Sequence, residues 1–133
     1  MRMEVDPKLS NTTALAYIGD AVYELYIRKY VMERGGVRVD RINCMAISFV
    51  KADAQALAAR GLMENFLTEE ELRLLKRARN HTRTSKPRGS TPIDYKLATG
   101  LEALVGYLYL SGNKERCDEV IARAIRLIEE GRE

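Results

Sequence analysis

ALAYIGDAVY, residues 14–23, is the stretch on which the reading of this chain turns. Leu15, Ile18, Val22 and Leu25 recur at helical spacing, so it belongs to one long apolar helix. Gly19 and Asp20 nevertheless stand side by side at its centre, and Asp20 is the only charge in the stretch. Glycine costs about 1 kcal/mol against alanine inside a helix, and an unpaired buried carboxylate costs considerably more. Helix stability therefore explains neither residue. A close backbone approach explains the first, and Asp20 either pairs with a cation such as Arg28 or Lys96 or does chemistry.

Helical signals continue outward from this segment, without a convincing alternating strand. The first helix is expected from a cap at Ser10 or Asn11 to Gly35-Gly36. A second spans Asp40 to Arg60, stopped by Gly61, with a short turn over 62–67. LTEEEL then supplies Thr68 as N-cap and Glu71 as its capping-box partner, with Leu67 and Leu72 as the hydrophobic staple. Thr91 and Pro92 open another helix, ending near Leu110 before Ser111-Gly112. An amphipathic helix from about Asn113 to Glu130 closes the chain, repeating Cys117, Val120, Ile121, Ala124, Leu127 and Ile128. The expected architecture is all-α, in one domain over 1–133.

The chain has 133 residues, 46% hydrophobic and 31% charged, which suits a folded protein and excludes a disordered one. Its two cysteines, Cys44 and Cys117, lack the spacing of a zinc site or a disulfide framework and read as reduced thiols. The N-terminus has no apolar leader and no run is long enough to span a bilayer, so a cytoplasmic protein without a membrane partner is expected. The net charge of +3 is unevenly spread. Lys76 to Lys96 holds seven Lys or Arg against one acid, Asp94. Such a loop faces a polyanion or is simply solvated.

LATGLEALVGYLYL, residues 97–110, repeats the anomaly of the opening stretch: an apolar helix with Gly100, Gly106 and one acid, Glu102. Two glycine-bearing helices can cross closely enough to bring Asp20 and Glu102 together. Two carboxylates so placed repel unless a proton or cation intervenes. An oxygen-only site with few protein ligands suits Mg²⁺, which keeps several waters and takes phosphate oxygens readily. Beside a basic loop, that points to phosphodiester chemistry. A neutralised core network is the structural alternative.

YIGDAVY resembles the signature of the ribonuclease III endonuclease domain, and LEALVGYLYL resembles that domain's second acidic motif in the required order. LAYIGDAVYELYIR, AISFVKADAQA, LTEEEL, KRARN and YKLATGLEALVGYLYLSG together are similar to the Mini-III subfamily, which consists of the catalytic domain alone. The resemblance implies a homodimeric, Mg²⁺-dependent endoribonuclease that cuts double-stranded RNA. It also implies maturation of the ends of the 23S ribosomal RNA precursor. A double-stranded-RNA-binding domain is not expected, because the chain ends about twenty residues after the second motif. The catalytic, metal-holding aspartate and glutamate fall on Asp20 and Glu102. Larger relatives carry further acids where this chain has Ala16 and Thr99, which leaves the number of metals per site open.

A catalytic domain on its own must grip duplex RNA with its own surface, through phosphates and 2′-hydroxyls. Lys76, Arg79, Asn80, Arg83, Ser85, Lys86 and Arg88 are the residues expected to do so. His81 reads as an RNA contact or a solvent residue in preference to a general base. Tyr17, Ile18, Gly19 and Val22 are the expected dimer contacts, with Gly19 allowing close approach across the two-fold. The competing reading is a catalytically inactive helical dimer that holds structured ribosomal RNA, supported by the missing acids at Ala16 and Thr99.

Overall fold

The computed structural model describes residues 6–7, 11–36, 38–82 and 89–132, and all regular structure among them is helical. Six helices follow in order: α1 (Thr12–Gly35), α2 (Val39–Val50), α3 (Ala52–Asn65), α4 (Glu69–His81), α5 (Pro92–Leu110) and α6 (Lys114–Glu130). Their starts follow local chemistry. Asn11 accepts the Ala14 N–H at 2.7 Å. Thr68 and Glu71 form the reciprocal capping box. Thr91 accepts the Asp94 N–H with Pro92 in the first turn, and Asn113 accepts the Arg116 N–H. Gly36, at φ 79°, closes α1 in a backbone region that only glycine enters freely.

α5 is the axis of the fold. It packs against α1, α3 and α4 along its length and meets α6 near its end. Nine of its residues are buried, from Leu97 to Leu108. α1 buries the expected stripe except at Leu25, with Ile18 half-buried against the core. Leu15, Val22, Tyr23, Ile27 and Val31 face inward, whereas Leu25 is exposed.

The helix expected over Asp40 to Arg60 is two helices. The chain breaks at Lys51, which is extended (φ −65°, ψ 154°), and α3 then runs through Gly61 without stopping. Gly61 is small for packing: an added Cβ would lie 2.8 Å from the Leu127 side chain of α6. The break exposes the last carbonyls of α2, and each finds a donor. Lys51 N–H bonds Ile47 O, the Arg132 guanidinium bonds Ser48 O, Tyr23 O–H bonds Phe49 O, and Gln55 Nε2 bonds Val50 O.

A buried clamp fixes α6 to the start of α4. Arg116 donates through Nε and Nη2 to both Glu71 carboxylate oxygens at 2.8 Å, and Nη2 also reaches Phe66 O at 3.0 Å. Its guanidinium lies over the Phe66 ring. These charge-assisted bonds hold the Glu71 carboxyl below its ordinary pKa, Arg116 first and the capping-box contact with Thr68 after it. Both cysteines are free thiols, and among the described residues no helix is long and apolar enough to cross a membrane.

Candidate active site

The glycines of α1 and α5 place two backbones in contact. A Cβ added to Gly19 would lie 1.7 Å from the carbonyl oxygen of Glu102 and 2.8 Å from Gly106 N. One added to Gly106 would lie 2.0 Å from the carbonyl oxygen of Leu15. The crossing therefore excludes any side chain at either position. Within the chain the close neighbour of Gly19 is Glu102, so the packing of α1 on α5 already requires a glycine there. Val22 is likewise buried in the core, and Ile18 is half-buried against Gly106. Of the four expected dimer contacts only Tyr17 stands clear, at 84% exposure.

Directly beside this crossing lies a cleft of about 390 Å³. α1 lines it with Thr12, Thr13, Ala16, Tyr17 and Asp20, α4 with Ala78 and His81 followed by Thr82, and α5 with Tyr95, Thr99 and Glu102. Asp20 is exposed and Glu102 half-buried. Burial pushes the Glu102 carboxyl up to about 8, helped by its hydrogen bond to Asp20 and by the Asp20 charge, against a smaller opposing effect of the Gln55 amide. Asp20 and Glu102 thus sit close enough in the cleft for the aspartate to raise the glutamate, after burial.

Asp20 does not take Arg28 as partner, since Arg28 pairs with Glu24 one turn on at 2.9 Å. Ala16 and Thr99, where larger relatives would carry acids, fall in the same cleft. Thr99 turns its hydroxyl back to Tyr95 O at 3.0 Å. Among the described residues no group of three or more His, Cys, Asp or Glu gathers anywhere. A two-carboxylate, all-oxygen donor set fits a hard divalent cation that keeps most of its own water.

The basic residues are placed differently. Lys76 and Asn80 are exposed on α4, on the side opposite its buried residues Glu71, Leu74, Leu75 and Ala78, and the half-buried Arg79 donates to Asn80. None of these three lines the cleft. Arg83, Ser85, Lys86 and Arg88 lie outside the described residues. His81 does line the cleft, with Nδ1 2.7 Å from Arg77 O. A carbonyl only accepts, so Nδ1 carries the proton and Nε2 is left as the acceptor of the neutral ring.

Sequence reasoning missed two groups around Glu102. Gln55, buried on α3, has Nε2 3.5 Å from Glu102 Oε2. Tyr23, also buried, has its hydroxyl held well above the ordinary range by burial and then by the Glu102 charge. A lone glutamine in an alanine-rich helix carries no signal that distinguishes it from an exposed polar position. Thr12 and Thr13, in the first turn of α1, also line the cleft.

The ribonuclease III domain family matches residues 13–113. The Mini-ribonuclease 3 of Symbiobacterium thermophilum is 45% identical over 117 residues, covering 88% of this chain and 89% of that protein. That of Clostridium tetani is 41% identical over 126 residues, covering 94% and 83%. Among solved structures, a Fusobacterium nucleatum protein superposes with a TM-score of 0.79 at 35% identity, over 91% of this chain and 96% of the other.

Proposed function

The chain belongs to the ribonuclease III domain family, in its Mini-ribonuclease 3 branch, and is an endoribonuclease; on that premise we propose that Asp20 and Glu102 form its catalytic site, hold Mg²⁺, and cut double-stranded RNA. The observation that carries this reading is their juxtaposition in an open cleft, where burial and mutual repulsion press Glu102 towards its protonated form. A cation between two such groups relieves that repulsion without a buried positive side chain.

When bound, a divalent cation neutralises phosphate oxygens and lowers the pKa of a coordinated water. The chain supplies the rest. The α1–α5 crossing sets the separation of the two carboxylates, because each sits on one of the touching backbones. Thr12 and Thr13 bring the N-terminal end of α1 to the cleft, where a helix favours phosphate. His81 and Thr82 present further polar groups on the opposite wall, within reach of a backbone laid along it.

A homodimer is the assembly we assign. Along α1 the apolar residues Tyr17, Leu25 (58%) and Met32 (60%) form an exposed stripe, and Val39 of α2 shares a surface hollow with Met32. A stripe of this kind is where a second copy would dock. The duplex ends of the 23S ribosomal RNA precursor are the substrate we assign, on the likeness to the Mini-III enzymes. Lys76, Arg79 and Asn80 remain the RNA contacts proposed from the described surface.

The test is Asp20→Asn and Glu102→Gln on a long duplex RNA with Mg²⁺. Each variant is expected to lose at least about a hundredfold in cutting, as the wild type does with a chelator, while duplex affinity measured without metal stays unchanged. Near-normal cutting by either variant would show the site to be elsewhere.

A further inference from the structure

One polar side chain is buried at the α2–α3 junction at a cost that packing does not explain. Gln55 is 3% exposed, and its Oε1 has no hydrogen-bond partner among the described residues. A buried amide that leaves its acceptor unmet loses stability, and an apolar side chain of similar volume would avoid the loss. The residues around it on α3, Ala54, Ala56, Ala58 and Ala59, are apolar and buried. What the amide retains is its nitrogen. Nε2 lies 2.8 Å from the carbonyl oxygen of Val50 and 3.5 Å from Glu102 Oε2.

Val50 is the last residue of α2, so its carbonyl has no donor within the helix. One NH₂ group therefore connects a fixed backbone oxygen on one side with the carboxylate on the other. Tyr23, buried near enough to feel the charge of the same carboxylate, donates its O–H to the neighbouring carbonyl of Phe49. Glu102 is thereby tied to the end of α2 through a buried side chain, whereas Asp20 is exposed.

We infer that Gln55 is a positioning residue for Glu102, anchoring one carboxylate oxygen to the end of α2 so that the group is already aimed when a cation binds. This rests on the reading of Asp20 and Glu102 as the metal-holding pair. Groups that orient a ligand in this way commonly matter to metal affinity by about 10–100-fold when removed. The geometry separates that role from a structural one. Gln55→Met deletes the donor and the orphaned acceptor together but leaves the Val50 carbonyl without its donor, so a modest loss of stability is expected, which the melts read apart from the effect on Glu102.

The experiment is calorimetric titration of the RNA-free protein with Mn²⁺, for wild type, Gln55→Met and Glu102→Gln, alongside thermal melts. Gln55→Met is expected to bind Mn²⁺ about 10–100-fold more weakly while melting within a few degrees of wild type. Its duplex RNA affinity in chelator should be unchanged. Wild-type Mn²⁺ binding by Gln55→Met, with binding lost in Glu102→Gln, overturns the role of Gln55 and leaves the metal pair standing. Binding that is absent from the wild type, or untouched in Glu102→Gln, overturns the metal pair itself. If Gln55→Met does not fold, the side-chain amide resonance of Gln55 in nitrogen-15-labelled wild type decides. It is expected to shift in step with Mg²⁺ binding and to stay still in Glu102→Gln. A resonance unmoved at saturating Mg²⁺ overturns the proposal.

Discussion

Adding a single methyl group at Gly19 tests the fold and the site together. In Gly19→Ala the new Cβ falls 1.7 Å from Glu102 O, 2.6 Å from Glu102 C and 2.8 Å from Gly106 N, where real Cβ contacts almost never come under 3.0 Å. The difference between 3.0 and 1.7 Å requires α1 and α5 to separate by about 1.3 Å at the crossing. All three clashing atoms are backbone, so no rotamer can yield. Overpacking of a core costs about 1–3 kcal/mol and this case sits at the top of that range. Alanine returns about 1 kcal/mol of helix propensity. The net loss is about 2 kcal/mol, or about 6–10 °C in melting temperature for a domain of this size.

The catalytic loss should be larger, because the shift is applied to the backbone of Glu102 itself. A displacement of about 1 Å between catalytic groups costs about a hundredfold. The assay is circular-dichroism melting at two protein concentrations a hundredfold apart, with duplex cutting measured well below the transition. The melting shift should be the same at both concentrations, since the contact lies within one chain. A Gly19→Ala protein that melts within 2 °C of wild type and cuts at full rate would refute the backbone contact and the spacing argument built on it.

The Glu71–Arg116 clamp should shape the acid limb of stability. Because Glu71 titrates below its ordinary value in the folded chain, folded protein binds fewer protons than unfolded between the two pKa values. Its contribution is then complete above about pH 4.5 and lost as pH falls through the depressed folded value. Glu71→Gln should flatten that limb in pH-dependent denaturation, and Arg116→Ala should cost about 3–5 kcal/mol by stranding a buried carboxylate; an unchanged acid limb would place the pair outside the stability balance. Lys76→Ala with Arg79→Ala should make duplex affinity less salt-dependent, lowering the log–log slope by somewhat under one unit per lost phosphate contact, with about 0.9 as the B-DNA guide. An unaltered slope would remove α4's outer face from the RNA interface. Tyr17→Asp with Leu25→Asp, both on the exposed stripe of α1, should give a folded monomer by sedimentation, and a persisting dimer would move the interface elsewhere.

Much of the fold could be read directly from the chain because helix ends are local events. The Thr68–Glu71 capping box, Thr91-Pro92 and Asn113 each act within one turn, and all appear where the residues indicated. Gly61 misled for a reason that is equally physical. Glycine marks helix ends when it supplies a left-handed residue, but here it stays in α3 to admit Leu127 of α6. The break came instead at Lys51, which has no stop signature of its own; of the four carbonyls left behind, one is met by the Lys51 N–H and three by donors from α1, α3 and the end of the chain.

Asp20 and Glu102 stood out by sequence alone because each is the only charge in an apolar stretch, residues 14–23 and 97–110, an anomaly that burial arithmetic exposes without coordinates. Their partners did not. Whether Gly19 faced a second copy or its own α5 depended on which backbone lies 1.7 Å from its missing Cβ, and that is a property of the α1–α5 crossing. Gln55 and Tyr23 acquired their relation to Glu102 in the same way, from helices distant in sequence that meet near one carboxylate. Residue type and spacing determined which groups were costly to keep and which turns began a helix. Only close packing decided which of those groups meet, because contacts between helices are set by shape over the whole core and leave no periodic trace in the chain.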